Sequence, residues 1–234
     1  MATLNLSGEL MPDEWAELYR YFGYESGLYC PLDVRNAIAQ LQPGEDLILE
    51  INSVGGSVDA SAEIYSILQK CTNPTKAEIQ SLAASAASYF PLACDRVEIA
   101  LPAQMMIHCA GWNVGGNKHD HLWTAQQLDT TDQSILDIYC RKCGDKADRA
   151  ELERLMNEET YLSARQCLEM GLVDAIIGDV PNSGTAPALV ASIHNNTVRA
   201  MRTLPDIQVL KDRMEQQRQA LDRELAVEKA RYAM

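Results

Sequence analysis

Large aromatic side chains are scarce in this sequence, with 2 Phe and 3 Trp among 234 residues. Apolar residues still reach 47%, so Leu, Ile, Val, Ala and Met must fill most of the core. The length suits one ordinary domain plus an appendage. No apolar run approaches the roughly 18 residues that a membrane-spanning helix needs. The opening Met1-Ala2-Thr3-Leu4-Asn5-Leu6 lacks the basic start and apolar stretch of a secretory signal. A cytosolic protein with no membrane partner is expected.

Positive charge is also short. Twenty Lys and Arg stand against 33 Asp and Glu, for a net charge of −13. Binding phosphate backbones needs clustered cations, so nucleic acid is excluded as a main partner. The deficit is uneven: residues 199–234 are slightly basic, and the rest carries the acidity as a solvated surface. The 7 cysteines are odd in number and scattered, which argues for reduced thiols. Cys140-Arg141-Lys142-Cys143 has metal-site spacing but stands alone in a helical pattern. Only His119 and His121 are on hand to complete it. Structural zinc takes four recognisable ligands, so no metal and no cofactor are expected.

Along the chain, strand-like and helix-like patterns alternate. Strands are expected at Leu4–Gly8, Leu47–Asn52, Ala77–Gln80, Val97–Ala100, Met105–His108 and Leu172–Ile177. The strand Leu47–Asn52 reads as buried on both faces. Helices are expected at Met11–Tyr21, Pro31–Leu41, Val58–Cys71, Leu82–Cys94, Asp120–Cys143, Lys146–Met156 and Ala164–Met170. Alternation of this kind specifies an α/β fold with parallel strands and right-handed crossovers. Three parts follow: a body over 1–178, a Pro- and Gly-containing linker over 179–198, and a charged helix over 199–234. That helix has the apolar positions Ile207, Leu210, Met214, Leu221 and Leu225, interrupted by Gln217. It reads either as packed on the body or a neighbouring subunit, or as a recruiter of substrate.

Within this frame stand a hydroxyl, an imidazole and carboxylates. Ser85 lies in the small-residue run Leu82–Ser88, His108 ends an apolar strand, and Glu158-Glu159 precede Thr160-Tyr161-Leu162-Ser163-Ala164. A serine hydroxyl becomes a useful nucleophile only when a neighbouring base takes its proton, and a carboxylate then orients the imidazole. Gly55-Gly56 offer backbone N–H groups of the kind an oxyanion hole requires. Each piece also has a plain structural reading. Small residues let elements pack closely, a histidine beside apolar residues is often a core residue, and glutamates cap helices. Ser81, Ser88, His119, His121 and His194 are the competing side chains of the same types.

Four segments in order resemble the Clp protease proteolytic subunit family. Ile51-Asn52-Ser53-Val54-Gly55-Gly56-Ser57 is similar to its Asn-Ser-Pro-Gly-Gly segment, and Ala83-Ala84-Ser85-Ala86 to its nucleophile motif. Met106-Ile107-His108 is similar to its histidine motif. Tyr161–Ala164 through Glu169–Asp174 is similar to its closing segment. The resemblance runs from about residue 4 to 178. It implies the Clp-protease/crotonase-like spiral of repeated ββα units, here with an added C-terminal helix. It also implies a serine endopeptidase assembled as a homo-oligomeric ring, possibly two stacked rings, joined through the helix near 120–143. By position it makes Ser85 the nucleophile, His108 the base, and Gly56 and Ala86 the oxyanion donors. Its aspartate falls on Glu159, with Glu158 as the alternative.

Three departures point within the family. Glutamate replaces the aspartate; Ile48 and Glu50 occupy positions where the family has the aromatics of its unfoldase-docking pocket; and a long charged helix follows the closing strand. Together these resemble the phage and prophage head-maturation branch. The implied substrates are then capsid or scaffold proteins in a bacterial host cytoplasm, and an ATP-driven AAA+ unfoldase is doubtful as a partner. The alternatives are an unfoldase-fed degrader, a catalytically inactive ring serving as scaffold, and a relative of signal-peptide peptidases or crotonase-fold acyl-CoA enzymes.

Overall fold

The computed structural model describes residues 1–179 and 205–232, with side chains described as far as residue 219. The elements run β1 (Ala2–Leu10), α1 (Asp13–Tyr21), β2 (Leu28–Tyr29), α2 (Pro31–Ala39), β3 (Leu47–Gly56), α3 (Val58–Gln69) and β4 (Thr75–Ala84). They continue β5 (Arg96–Ala100), β6 (Gln104–Ile107), α4 (Lys118–Cys143), α5 (Arg149–Asn157), β7 (Thr160–Ser163), α6 (Ala164–Met170), β8 (Ala175–Ile177) and α7 (Ile207–Tyr232). The linker expected at 179–198 lies outside the described residues, apart from Asp179.

The sheet order is β2-β1-β3-β4-β5-β8, all parallel. β4 is long enough to serve two neighbours. Its first half, Lys76–Ile79, pairs with β5, and its second half, Leu82–Ala84, pairs with β6. β7 then joins β6 antiparallel. Leu82–Ala84 are therefore strand, not the start of a helix. Ser85–Ser88 and Phe90–Ala93 form two short 3-10 turns where the sequence predicts one helix. The strand neighbour β6 supplies the backbone partners that the small-residue run would otherwise have found in a helix, and Pro91 forbids a continuous α-helix.

β3 is buried on one face only. Leu47, Leu49 and Ile51 are buried, while Ile48, Glu50 and Asn52 are half-buried. The buried set joins Ile64 and Leu68 of α3, Ile79 of β4 and Ile99 of β5 in the main core. On the opposite face Glu50, Glu78 and Glu98 lie side by side across three strands. Like charges in register repel. Lys76 offsets them by pairing with Glu78 at 2.6 Å and Glu98 at 2.9 Å, and Arg96 pairs with Glu98 at 2.6 Å.

α1 closes a second, smaller core with Met11, Leu28 and Cys30, and α7 completes it. Leu210 is fully buried against Ala16 and Tyr19, and the Tyr19 hydroxyl donates to the Pro205 carbonyl at 2.5 Å. Burying one leucine contributes about 1.5–3 kcal/mol. Lys211 over Trp15 and Arg213 over Phe22 add cation–π contacts. The opening turns of α7 are thus packed on the body. A Leu210→Asp substitution is expected to free them. Amide hydrogen exchange over 207–219 should rise strongly while the β1–β3–β4 amides keep their protection.

Candidate active site

β4 ends at Ala84 in extended backbone, and Ser85 turns sharply out of it at φ 55°. A side chain at positive φ strains the backbone. Among the described residues only Ser85 and Glu159 do this without being glycine. The parallel pairing Ala84↔Met106 sets the end of β6 beside this turn. His108 follows β6 directly, and its Nε2 lies 2.6 Å from Ser85 Oγ. That distance is within the reach of a nucleophile and its base. Both side chains are half-buried. They share a cavity of about 10 Å³ with Val58, Tyr89, Ala110, Ile135 and Tyr139. A larger cavity of about 440 Å³, bordered by Asn5, Arg20, Tyr29 and Asp33, contains neither residue.

The two glycines do different work. A Cβ on Gly55 would stand 2.6 Å from the Ala84 carbonyl and 2.8 Å from both Ala86 N and Ser85 Cβ. A Cβ on Gly56 would stand 2.0 Å from the Leu10 carbonyl. Gly55 therefore lets the serine turn in, and Gly56 lets β1 in. Ser53 ties the loop down: its buried hydroxyl accepts from Tyr29 Oη at 2.9 Å and Gly55 N–H at 3.0 Å, and donates to the Gly8 carbonyl at 2.7 Å. With the Gly55 amide so engaged, Gly56 is the other backbone donor of the pair. Ser57 N–H points at the Leu10 carbonyl, at 2.8 Å.

The serine turn has further supports on residues that the sequence did not single out. Ser61 of α3 donates to the Ala86 carbonyl at 2.6 Å, and Tyr89 donates to the Val58 carbonyl at 2.7 Å. Burial pushes the Tyr89 hydroxyl up to about 12. Asp132 of α4 accepts from the Ala110 amide at 2.6 Å, holding the loop that leaves His108. Ser61, Asp132 and Tyr139 sit in ordinary helical patterns, and nothing in their spacing marks them.

The carboxylates divide. Glu158 pairs with Arg154, which also binds Glu151 at 2.8 Å, in an exposed cluster on α5. Glu159 directly precedes Thr160, whose ladder partner Ile107 directly precedes His108. The left-handed turn at Glu159 leads into β7 there. Burial first, and the Glu159 charge second, raise the Tyr161 hydroxyl. Among the described residues neither carboxylate hydrogen-bonds the imidazole, whose bond is to Ser85. Cys140 and Cys143 lie at the end of α4, about 30 Å along the helix from His119 and His121 at its start. These four therefore cannot share one ion. No group of three metal-ligating side chains is found among the described residues.

Comparison with known proteins agrees with this layout. The profile of the Clp protease family matches residues 36–180. The ATP-dependent Clp protease proteolytic subunit 1 of Chlamydia muridarum is 31% identical over 139 residues, 58% of this chain and 71% of that protein. The subunit 1 of Chlamydia trachomatis serovar D gives the same figures. That of Protochlamydia amoebophila is 30% identical, covering 66% of its length. The matched region includes β3, β4 and β6, the strands that bring the glycine pair, Ser85 and His108 to one place. On that ground the chain belongs to the Clp protease family, has its α/β spiral fold, and is a serine peptidase.

Proposed function

We propose that the chain is an endopeptidase that acts through an acyl-enzyme on Ser85. His108 Nε2 takes the Ser85 hydroxyl proton as Oγ bonds to the scissile carbonyl carbon, then delivers that proton to the departing amine. Water, deprotonated by the same imidazole, attacks the ester and releases Ser85. Glu159 orients the imidazole and stabilises its charged form, with Glu158 held away by Arg154. The N–H groups of Gly56 and Ala86 face the developing oxyanion. The observation carrying this reading is the 2.6 Å Ser85–His108 contact at a serine turn strained to φ 55°.

A fluorophosphonate probe tests it. Wild-type protein is expected to gain one adduct in intact mass, absent from Ser85→Ala; absence of any adduct would sink the reading in favour of an inactive scaffold. Gly55→Ala should slow labelling by about 100-fold through the displaced serine turn, with the circular dichroism spectrum kept. Glu159→Ala should lower turnover by about 10²–10⁴-fold, whereas Glu158→Ala stays near wild type. The reverse order would transfer the role to Glu158.

The active form in this reading is a homo-oligomeric ring. On α4, the helix expected to join rings, Ile135 and Leu136 belong to the chain's own core. Leu122 is exposed, however, and Trp123 beside it meets Trp112 in a tilted ring contact at 6.2 Å, with more than half of each exposed. An exposed apolar group of this size favours burial against another copy. Sedimentation velocity should give an oligomer for wild type and a smaller species for Trp123→Glu; a wild-type monomer at micromolar concentration would overturn the ring.

For substrate, the reading is capsid or scaffold protein of a phage head, supported by Glu159 at the family's aspartate position and by the long charged α7. The relatives' names favour the second reading, an ATP-dependent degrader fed by an unfoldase. Against it stands the Glu50–Glu78–Glu98 row with Lys76 and Arg96, a charged face poorly suited to an apolar docking loop. Pull-down with a Clp unfoldase separates the two: no capture by wild type is expected, and efficient capture would install the degrader.

A further inference from the structure

The Ser85 turn is reached by α4 through two buried hydroxyls. Ser88 Oγ lies 2.5 Å from the Ser85 carbonyl oxygen and 2.6 Å from Tyr139 Oη. Ser88 is fully buried and Tyr139 is 1% exposed. The direction of the chain follows from counting hydrogens. A carbonyl oxygen brings none, so Ser88 must spend its single proton there. Tyr139 must then donate to Ser88 Oγ. The result is a one-way relay, Tyr139 O–H to Ser88 O–H to Ser85 C=O.

The relay ends on the peptide group that follows the strained Cα. Holding that carbonyl fixes the plane of the Ser85–Ala86 peptide, and so fixes both the Ala86 N–H and the direction of the Ser85 side chain. Ser61 grips the next carbonyl, that of Ala86, at 2.6 Å. A left-handed serine persists only where its surroundings over-determine it, and these two bonds do so from opposite elements, α3 and α4. Burial raises the Tyr139 hydroxyl above its ordinary range, which favours its protonated, donating form. Asp132, two turns earlier on α4, holds the Ala110 amide after His108. One helix therefore braces both halves of the Ser85–His108 pair.

We propose that Tyr139 and Ser88 are positioning residues for the peptidase reaction: they hold the Ser85 turn in the geometry that aims Oγ at His108 and the Ala86 N–H at the oxyanion. This rests on the reading of Ser85 as nucleophile. Neither hydroxyl touches substrate. Their loss should appear in the chemical step and leave substrate binding alone.

The test compares wild type, Tyr139→Phe, Ser88→Ala and the double variant. Fluorophosphonate labelling rates and peptide kcat and KM are measured well below each variant's melting temperature. Tyr139→Phe removes one oxygen and keeps the ring, and is expected to slow labelling and kcat by about 10-fold with KM unchanged. Ser88→Ala should lose at least as much. The double variant should match Ser88→Ala alone, because a broken relay cannot be broken again. Folded Tyr139→Phe and Ser88→Ala that label at the wild-type rate would overturn the proposal. So would losses that multiply in the double variant, or losses carried by KM. If one variant fails to fold, the other decides by the same rate criterion. A wild type that does not label at all removes the nucleophile reading first, and this proposal with it.

Discussion

Three parallel strand ends converge at the carboxyl edge of the sheet, and backbone must approach backbone there more closely than side chains allow. Gly55 and Gly56 meet that constraint in opposite directions, one toward the serine turn and one toward the end of β1. Ser53 then locks the arrangement with a hydroxyl that accepts twice and donates once. A side chain at either glycine would push β1 or the Ser85 turn outward. The Ser85–His108 distance depends on both staying in place, so the geometry of that pair rests on this close packing more than on the hydrogen bond between them.

The site uses strain sparingly and supports it heavily. Ser85 and Glu159, on the turns flanking His108, are the two non-glycine residues with positive φ among the described residues. The first turn ends β4 and the second leads into β7. Around Ser85 the supports are buried hydroxyls on α3 and α4 and the rigid edge of β4. Around Glu159 the supports are lighter, namely a helix end and the last step of the β6–β7 ladder. The serine turn is heavily braced, whereas Glu159 is exposed at the surface.

Much of the fold was legible because its periodicities are strong. The parallel α/β class, most strand positions and the long helix over 118–143 follow from apolar spacing and turn residues. Legibility failed where partner identity decides conformation. Leu82–Ala84 have the composition of a tight helix and become strand because β6 lies alongside. β3 looks buried on both faces, yet Glu50 lies in a charged row that only the lateral register reveals. Ile135 and Leu136 looked available for subunit contact and are consumed by the chain's own core.

The same division holds for function. The sequence alone determined which groups are candidates: a glycine pair, a serine, a histidine and a carboxylate, in that order, within four family-like segments. It also determined the α/β class, since local patterns of apolar and turn residues set the elements. Only the tertiary structure decided which candidates meet. The 2.6 Å approach of residues 85 and 108 and the Tyr139–Ser88 bond across 51 residues of chain arise from strand register and helix docking. Those are long-range interactions, and no local pattern encodes them.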